Sequence, residues 1–317
     1  MSRANHLCYT LAMPELPDLE VIKEFLQDRI VGQEIAEVEV VRPIVVRNLA
    51  GGDFATRLTG QRIKQVNRRG KFLILALDSG DCLVINPMLA GRLHYAPRRE
   101  RRLRKTFVVL RLADGMDLRY ADARTMGKVY LTDDLAKVPG FAELGPEALD
   151  PDLTLDLFRE WLRQYRGEIK DILTRQSFVA GIGNAYADEI CWRAGVYPFR
   201  KRPQLSEEGI ARLYQAMHEV LSEALAILRE RVGADIHVEI RDFLKVHGRG
   251  GQPCPRCGTT ISEIKARQQL TNFCRQCQPG SLIGGGPLLP NPPLPSLGEG
   301  GTELPSPKVG GGAGGLC

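Results

Sequence analysis

Apolar residues near the start of the chain recur at helical spacing. The recurring positions are Leu19, Ile22, Leu26 and Ile30. This spacing predicts an amphipathic helix over residues 14–32, because residues three and four apart lie on one face of a helix. Asp18 is its expected N-cap, and Gly32 is its expected end.

From about residue 34 to residue 131, the pattern changes to short alternating or β-branched runs separated by turn residues. Examples of runs that predict strands are 36–46, 71–77, 82–86, 106–112 and 128–131. Strand-like runs at such close spacing are typical of an antiparallel sheet folded on itself. We therefore expect an N-terminal antiparallel β-sandwich or barrel, flanked by helices.

Helical periodicity returns after about residue 151. Leu157, Trp161 and Tyr165 share one helical face, and a longer helix is predicted between Ser206 and Gly233. The apolar stripe of that longer helix is Ile210, Leu213, Met217, Leu221, Leu225 and Leu228. The chain is thus expected to be an α+β protein with a helical second domain.

Composition divides the chain further. Residues 279–317 contain 12 glycines and 8 prolines, which leaves too little apolar surface to offset the entropy of ordering the segment. We predict that this tail is disordered. The full division is an N-terminal extension (1–13), a β-sandwich domain (14–134), a linker (135–150), a helical domain (151–245), a cysteine-containing module (246–278) and the tail (279–317).

The overall composition is that of a globular protein, with 43% hydrophobic and 26% charged residues. No uninterrupted apolar run approaches the ~20 residues that a membrane span needs, so no membrane partner is expected. The net charge of +5 permits an anionic partner without requiring one.

Four of the eight cysteines have the spacing Cys254-x2-Cys257-x16-Cys274-x2-Cys277. Two CxxC pairs at this distance are typical of a zinc ribbon, in which four thiolates form a tetrahedral shell. No histidine or carboxylate interrupts the set to leave an open coordination position. One structural Zn²⁺ per chain is therefore expected. Because the two CxxC pairs indicate a metal site rather than disulfides, they also favour a reducing compartment.

The segment Met13-Pro14-Glu15-Leu16-Pro17-Asp18-Leu19-Glu20 allows two interpretations. One is an ordinary helix start, where prolines and acids are favoured. The other is catalytic: if the mature chain begins at Pro14, its free secondary amine could attack an electrophilic sugar carbon and form an iminium. Glu15 could then donate or accept the proton.

Several stretches, in this order, resemble one family. They are MPELPDLE at 13–20, RGKF at 69–72, GIGNAYADE at 181–189, VHGR at 246–249 and the CxxC…CxxCQ ending. Together they are similar to the formamidopyrimidine-DNA glycosylases, bifunctional base-excision enzymes that carry a helix–two-turn–helix module and a zinc finger. The resemblance covers about residues 13–278. It implies that 1–13 is an extension absent from the mature protein, 14–134 the catalytic β-sandwich domain, 151–245 the helix–two-turn–helix DNA-binding domain and 246–278 the zinc finger.

The resemblance implies catalytic and phosphate-binding roles. Pro14 matches the family's nucleophile, Glu15 its catalytic acid, and Lys71 a lysine that contacts the phosphate beside the lesion. Without the family, Lys71 could be a solvated lysine at a strand end. Asn184 and Lys170 match further phosphate contacts, and Glu189 matches an acidic residue that assists turnover. A glycine turn that opens a helix, as at Asn184, is also a general anion site.

The family fills the gap left by an extruded nucleotide with three side chains, and Leu89, Arg124 and Met126 match their positions. Leu89 and Met126 could equally be ordinary core residues. At the zinc finger, Gln269 occupies the position of the family's phosphate-binding arginine, with Arg267 as a nearby substitute. The segment 233–246 lacks the longer glycine-rich loop of the purine-specific branch.

The resemblance implies a bacterial-type, cytoplasmic and nucleoid-associated monomer that binds damaged double-stranded DNA. We expect a glycosylase with AP lyase activity that removes formamidopyrimidines and oxidised purines by β,δ-elimination. Two alternatives stay open. Leu89 and the short segment 233–246 favour an endonuclease VIII-type enzyme for oxidised pyrimidines, and Gln269 with the residues before Pro14 favours a non-catalytic paralogue that binds damaged DNA.

Overall fold

The computed structural model describes residues 13–266 and 269–280. The predicted extension, except for Met13, lies outside the described residues, as do Arg267 and all but the first two residues of the predicted tail. The helices are α1 (Leu16–Ile30), α2 (Phe54–Leu58), α3 (Leu155–Arg163), α4 (Ile169–Leu173), α5 (Asn184–Arg193) and α6 (Glu207–Arg231). The strands are β1 (Ile35–Val40), β2 (Val46–Asn48), β3 (Ile63–Arg69), β4 (Phe72–Leu77), β5 (Cys82–Asn86), β6 (Gly91–Pro97), β7 (Thr106–Leu112), β8 (Met116–Asp122), β9 (Lys128–Thr132), β10 (Ser262–Ala266) and β11 (Gln269–Phe273).

The first helix begins at a reciprocal cap. Glu15 is the N-cap residue of α1, and its backbone N–H donates to Asp18 Oδ2 at 2.8 Å. Asp18 is therefore the third helical residue rather than the predicted N-cap, because Pro14 and Pro17 shift the start of the helix. The chain turns away at Gly32, whose φ of +80° favours glycine.

The β domain is a sandwich of two sheets. One sheet has the strand order β1-β7-β8-β6, and the other has the order β2-β9-β5-β4-β3. The predicted strand 36–46 is divided between the two sheets, because Pro43 cannot donate to a sheet ladder. Its second part, β2, pairs parallel to β9 and departs from the otherwise antiparallel prediction for this domain. Strands β3, β6 and β8 were absent from the prediction.

The second domain packs its helices around the long α6. The predicted stripe is correct, since all six of its residues are buried. The predicted face of α3 is only partly correct: Leu157 is 43% exposed, and the buried residues are Phe158 and Leu162. Trp161 and Tyr165 are half-buried against the same core.

The cysteine module follows the helices and contains the hairpin of β10 and β11. It packs on α5 through a small core that includes Trp192, Val246 and Ile261. Within the described part of the chain, no helix combines the length and apolar character needed to cross a membrane.

Candidate active site

The carboxylate of Glu15 lies at the N-terminus of α5. Its Oε2 accepts a hydrogen bond from the Gly183 N–H at 2.6 Å, and its Oε1 accepts one from the Ala185 N–H at 2.8 Å. The side chain is only 1% exposed. Free backbone amides at a helix N-terminus stabilise an anion. The glycine turn thus holds an anion, and that anion is the Glu15 carboxylate. The predicted phosphate contact at Asn184 stays a prediction.

Gly183 makes this contact possible because it has no side chain. A Cβ atom at this position would lie 2.5 Å from Glu15 Cδ and 2.5 Å from Lys71 Nζ. Both distances are shorter than any ordinary van der Waals contact. The structure therefore brings Glu15 and Lys71 together over one glycine, although the three residues come from distant parts of the sequence.

Lys71 follows the tight turn between β3 and β4. Gly70 has a φ of +55°, and its N–H donates to Glu147 Oε1. Burial lowers the pKa of Lys71, and the nearby Glu15 carboxylate opposes that shift. Lys71 Nζ also lies 3.4 Å from Met13 Sδ. Its position at the centre of the site excludes the alternative of a solvated lysine at a strand end.

Pro14 is buried and directly precedes Glu15 in the chain. In the 317-residue chain, its nitrogen is part of the peptide bond to Met13, and the Met13 carbonyl accepts a hydrogen bond from Arg241 Nη2 at 3.1 Å. Pro14 also borders a small, mostly apolar cavity lined by Ile22 and Leu228. Any chemistry at the Pro14 nitrogen therefore requires the chain to begin at Pro14.

Arg124 and Met126 are presented on an exposed loop between β8 and β9. Met126 is 40% exposed, which excludes a core role for it. Asp122 shapes the loop: its Oδ1 accepts from the Arg124 N–H at 2.8 Å, and its Oδ2 accepts from the Gly127 N–H at 2.7 Å. Thr125 between them has a φ of +61°, an uncommon backbone conformation for a residue other than glycine.

Leu89 is half-buried in the neighbouring turn after β5. The preceding residue, Met88, also has a positive φ, of 48°. The Tyr120 hydroxyl joins the two loops, because a Cβ atom would lie 2.5 Å from it at Gly91 and 1.8 Å from it at Gly127. The three predicted gap-filling side chains are thus carried by two adjacent turns.

Lys170 is buried rather than presented to solvent. Its Nζ lies 2.6 Å from Asp188 Oδ1 and donates at 2.8 Å to both the Leu270 carbonyl and Thr271 Oγ1. Asn184 Nδ2 donates to the same Leu270 carbonyl at 2.7 Å. In the protein without DNA, both residues hold strand β11 of the cysteine module against the helical domain.

Glu189 is buried on the same helix and also holds the cysteine module. Its carboxylate accepts hydrogen bonds from the backbone N–H groups of Lys245, Val246 and His247 at 2.8–2.9 Å. Burial raises the pKa of Glu189, and these amides oppose the shift. Through these contacts, Glu189 fixes residues 245–247, which lead into the cysteine module.

The four predicted cysteines converge. Their Sγ atoms all lie within 4.8 Å of one another, with 3.8 Å between Cys254 and Cys277 and 3.4 Å between Cys257 and Cys274. A tetrahedral site with Zn–S bonds of ~2.3 Å separates its sulfurs by about 3.8 Å. The four thiolates therefore fit one structural zinc ion. Gln269 lies at the tip of the adjacent hairpin, where it pairs with Ala266.

Two further residues at the site, Arg241 and Asp122, were not among the predicted site residues. Arg241, in the irregular segment after α6, donates to Asp18 Oδ2 at 2.6 Å, and Asp122 organises the exposed loop. Asp122 could have been suspected, because an aspartate before a turn commonly accepts from backbone amides. Arg241 carries no such local signal, since the two partners that tie it to the start of α1, Met13 and Asp18, lie more than two hundred residues away.

Comparison with known proteins identifies three matching family models. Residues 13–129 match the formamidopyrimidine-DNA glycosylase N-terminal domain, residues 144–234 match the H2TH domain of the same glycosylases, and residues 251–280 match a zinc finger found in FPG and IleRS. The matched ranges agree with the β domain, the helical domain and the cysteine module.

Curated relatives and solved structures agree with these matches. Formamidopyrimidine-DNA glycosylases of Pelotomaculum thermopropionicum and Heliobacterium modesticaldum are 36% and 40% identical, over 84% of this chain and 99% and 100% of theirs. A complex between the Lactococcus lactis Fpg and an abasic site containing DNA has a TM-score of 0.76 at 33% identity and covers 84% of this chain and 100% of that one.

Proposed function

Because the chain belongs to the formamidopyrimidine-DNA glycosylase family, we propose that it excises damaged bases from DNA with Pro14 as its nucleophile. The family's activity is DNA glycosylase and AP lyase in base-excision repair. The observation that carries the proposal is the approach of Glu15 and Lys71 to each other over Gly183, with the buried Pro14 directly before Glu15 in the chain.

The reaction begins at a free Pro14 amine. An α-amino group has a pKa near ~8, so a useful fraction is unprotonated at neutral pH. The nitrogen forms a bond to C1′ of the damaged nucleotide as the bond between C1′ and the base breaks, and the base leaves with its electron pair and takes up a proton. Glu15, one residue away and fixed by the amides of α5, is placed to transfer protons between the sugar and the amine.

Strand cleavage follows from the iminium. Opening of the sugar ring gives a C1′ iminium, which acidifies the C2′ proton. Loss of that proton expels the 3′ phosphate by β-elimination, and a second elimination expels the 5′ phosphate. The nitrogen is finally released by hydrolysis of the iminium.

DNA binding uses the remaining predicted residues. Lys71 contacts the phosphate beside the lesion, Leu89, Arg124 and Met126 fill the space left by the extruded nucleotide, and Asn184 contacts a phosphate. The buried Lys170 and Glu189 hold the zinc module in place. Gln269 and Arg267 are proposed to contact the backbone of the DNA.

The lesion class is formamidopyrimidines and oxidised purines, in keeping with the family name. Two features of the chain favour oxidised pyrimidines as a second candidate: Leu89 at the gap-filling position, and the short segment 233–246. Gln269 and the amide at Pro14 in the 317-residue chain favour a third candidate, a paralogue that binds damaged DNA without cleaving it. We also propose that the protein acts as a monomer on double-stranded DNA at the nucleoid, in the cytoplasm.

Incision of defined duplexes tests the proposal. The form beginning at Pro14 is expected to cut duplexes containing formamidopyrimidine, and comparison with dihydrothymine duplexes ranks the two lesion classes. Glu15→Gln should impair cleavage at the damaged base more than at a preformed abasic site, because departure of the base depends most on proton transfer. Binding to all of these duplexes without incision of any would overturn the enzyme assignment in favour of the binding paralogue.

A further inference from the structure

The segment between α6 and the zinc module places a buried cation next to Pro14. Arg241 Nη2 donates to Asp18 Oδ2 at 2.6 Å and to the Met13 carbonyl at 3.1 Å, while its Nε donates to Glu239 Oε1 at 3.0 Å. Glu239 in turn pairs with Arg92 on β6 at 2.8 Å. The short segment is thus tied to the nucleophile's end of α1 by charge.

The Arg241 guanidinium is not simply neutralised by these partners. Its side chain is 10% exposed, its Nη1 is buried without a hydrogen-bond partner among the described residues, and its face lies 4.8 Å from the Tyr186 ring. A buried donor without a partner destabilises the fold, so its retention calls for an explanation in function.

The distance to the reacting nitrogen is short. A carbonyl oxygen lies about 2.3 Å from the nitrogen of the next residue, which places the Pro14 nitrogen within about 5.5 Å of Arg241 Nη2. When the chain begins at Pro14, the Met13 carbonyl is gone and that Nη2 donor faces the free amine.

We propose that Arg241 is a positioning residue for the nucleophile, which holds the Asp18 carboxylate and keeps the Pro14 amine in its unprotonated, reactive form. The physical reason is that a cation beside an amine disfavours its protonation, whereas an unpaired carboxylate favours it. Arg241 supplies the first effect and suppresses the second. This inference rests on the proposed function, since it requires Pro14 to be the nucleophile.

Charged and titratable side chains face the amine from each element packed against it. They are Glu15 and Asp18 on α1, Lys71 before β4, Arg92 on β6, Tyr186 on α5, and Glu239 and Arg241 in the segment after α6. Burial raises the pKa of Asp18 to about 6, against the opposing effect of Arg241. Loss of Arg241 therefore leaves only Lys71 and Arg92 as cations of this set, while its acidic residues stay in place.

The test is the pH profile of borohydride trapping on abasic-site DNA, measured with the form beginning at Pro14. This form keeps every described residue except Met13. Arg241→Gln should move the midpoint of trapping upward by about one pH unit, because the amine then holds its proton more tightly. Arg241→Lys keeps the positive charge, so its trapping midpoint should stay close to that of the parent form. Arg229→Gln, which removes an arginine paired with Glu24 on the surface, is the matched control and should leave the midpoint unchanged.

A merely structural role for Arg241 gives a different result. Trapping would then fall by the same factor at every pH, with no shift of midpoint, and Arg241→Lys would shift nothing either. That outcome overturns the inference while the proposed function stands. If the parent form fails to trap at any pH, the inference about Arg241 and the proposed function fail together. Trapping by the parent form therefore distinguishes failure of the inference alone from failure of both. Unfolding temperature and zinc content, measured for each variant, identify those that do not fold.

Discussion

The centre around Glu15 and the loops that carry Leu89 and Met126 are built in opposite ways. Glu15 is 1% exposed and receives backbone hydrogen bonds from a helix more than 160 residues away. Met126 is 40% exposed, and two residues in the loops, Met88 and Thr125, adopt left-handed backbone conformations. The centre is fixed by contacts, whereas the loops hold strained backbone in an exposed position.

This difference follows from what each region has to do. A proton-transferring carboxylate beside a nucleophile must hold its geometry to within a fraction of an ångström, and burial against fixed amides provides that. Side chains that enter DNA must be free of the protein beforehand, so they cannot be packed. Substitutions in the buried centre should therefore lower both incision and stability, whereas truncation of an exposed loop side chain should lower excision without changing stability.

The largest effect is expected at Gly183. In Gly183→Ala, the new Cβ would overlap Glu15 Cδ, so the carboxylate must move away from the α5 amides. We expect incision at abasic sites to fall by at least about 100-fold and stability to fall by about 1–3 kcal/mol. Gly167→Ala is the control, because its Cβ would meet only Ile172 Cγ1, at an ordinary 3.8 Å. Equal incision by the two variants would show that the centre is not sterically fixed.

Met126 tests the opposite region. Truncation in Met126→Ala removes an exposed apolar side chain, so the unfolding temperature should not change, while excision of damaged bases from duplex DNA should fall by about 10-fold for want of a gap-filling group. Leu157→Ala removes an equally exposed residue, on α3. If both variants excise like the parent, the loop does not enter the DNA.

A third substitution adds a positive charge at Gln269, at the tip of the zinc hairpin, and tests whether this hairpin contacts DNA. Gln269→Arg supplies a cation for the DNA backbone, so affinity should rise several-fold at low salt. The slope of log affinity against log salt concentration should steepen by about 0.9, as one more counterion is released. An unchanged slope would place this residue outside the DNA contact.

The smallest effect concerns the strained turn after β5. Met88→Gly and Leu89→Gly both remove an apolar side chain, but only Met88 has a positive φ. Relief of that conformation should make Met88→Gly less destabilising than Leu89→Gly by about 1 kcal/mol, measured by denaturant unfolding. A larger loss for Met88→Gly would mean that its backbone is not strained.

Local patterns predicted much of the fold. The apolar stripe of α6 and the four-cysteine spacing depend on residues close in sequence, and both predictions are confirmed. Strand β6 was missed, because its alternation of polar and apolar residues is limited to the four residues Arg92-Leu93-His94-Tyr95. The break at Pro43 was missed as well, because proline in a strand-like run leaves open where each half pairs.

The candidate site was predictable only in part, and mainly from the family resemblance rather than from local sequence patterns. Pro14 and Glu15 were proposed from the helix start and then, with Lys71, from the family resemblance. The structure brings the Glu15 and Lys71 side chains together over Gly183. The contact of Glu15 with the α5 amides, and the approach of Arg241 to Asp18, join segments far apart in sequence. No periodicity or spacing encodes such contacts, because they exist only when the domains have docked.

The central claim is that the Pro14 nitrogen attacks the sugar. Borohydride reduction of the iminium should trap a covalent complex between abasic-site DNA and the form beginning at Pro14, as verified by mass spectrometry of its N-terminus. The 317-residue form should not trap, because its proline nitrogen is an amide without an available lone pair. Efficient trapping by the intact 317-residue form would contradict the claim and make Lys71 the first alternative nucleophile.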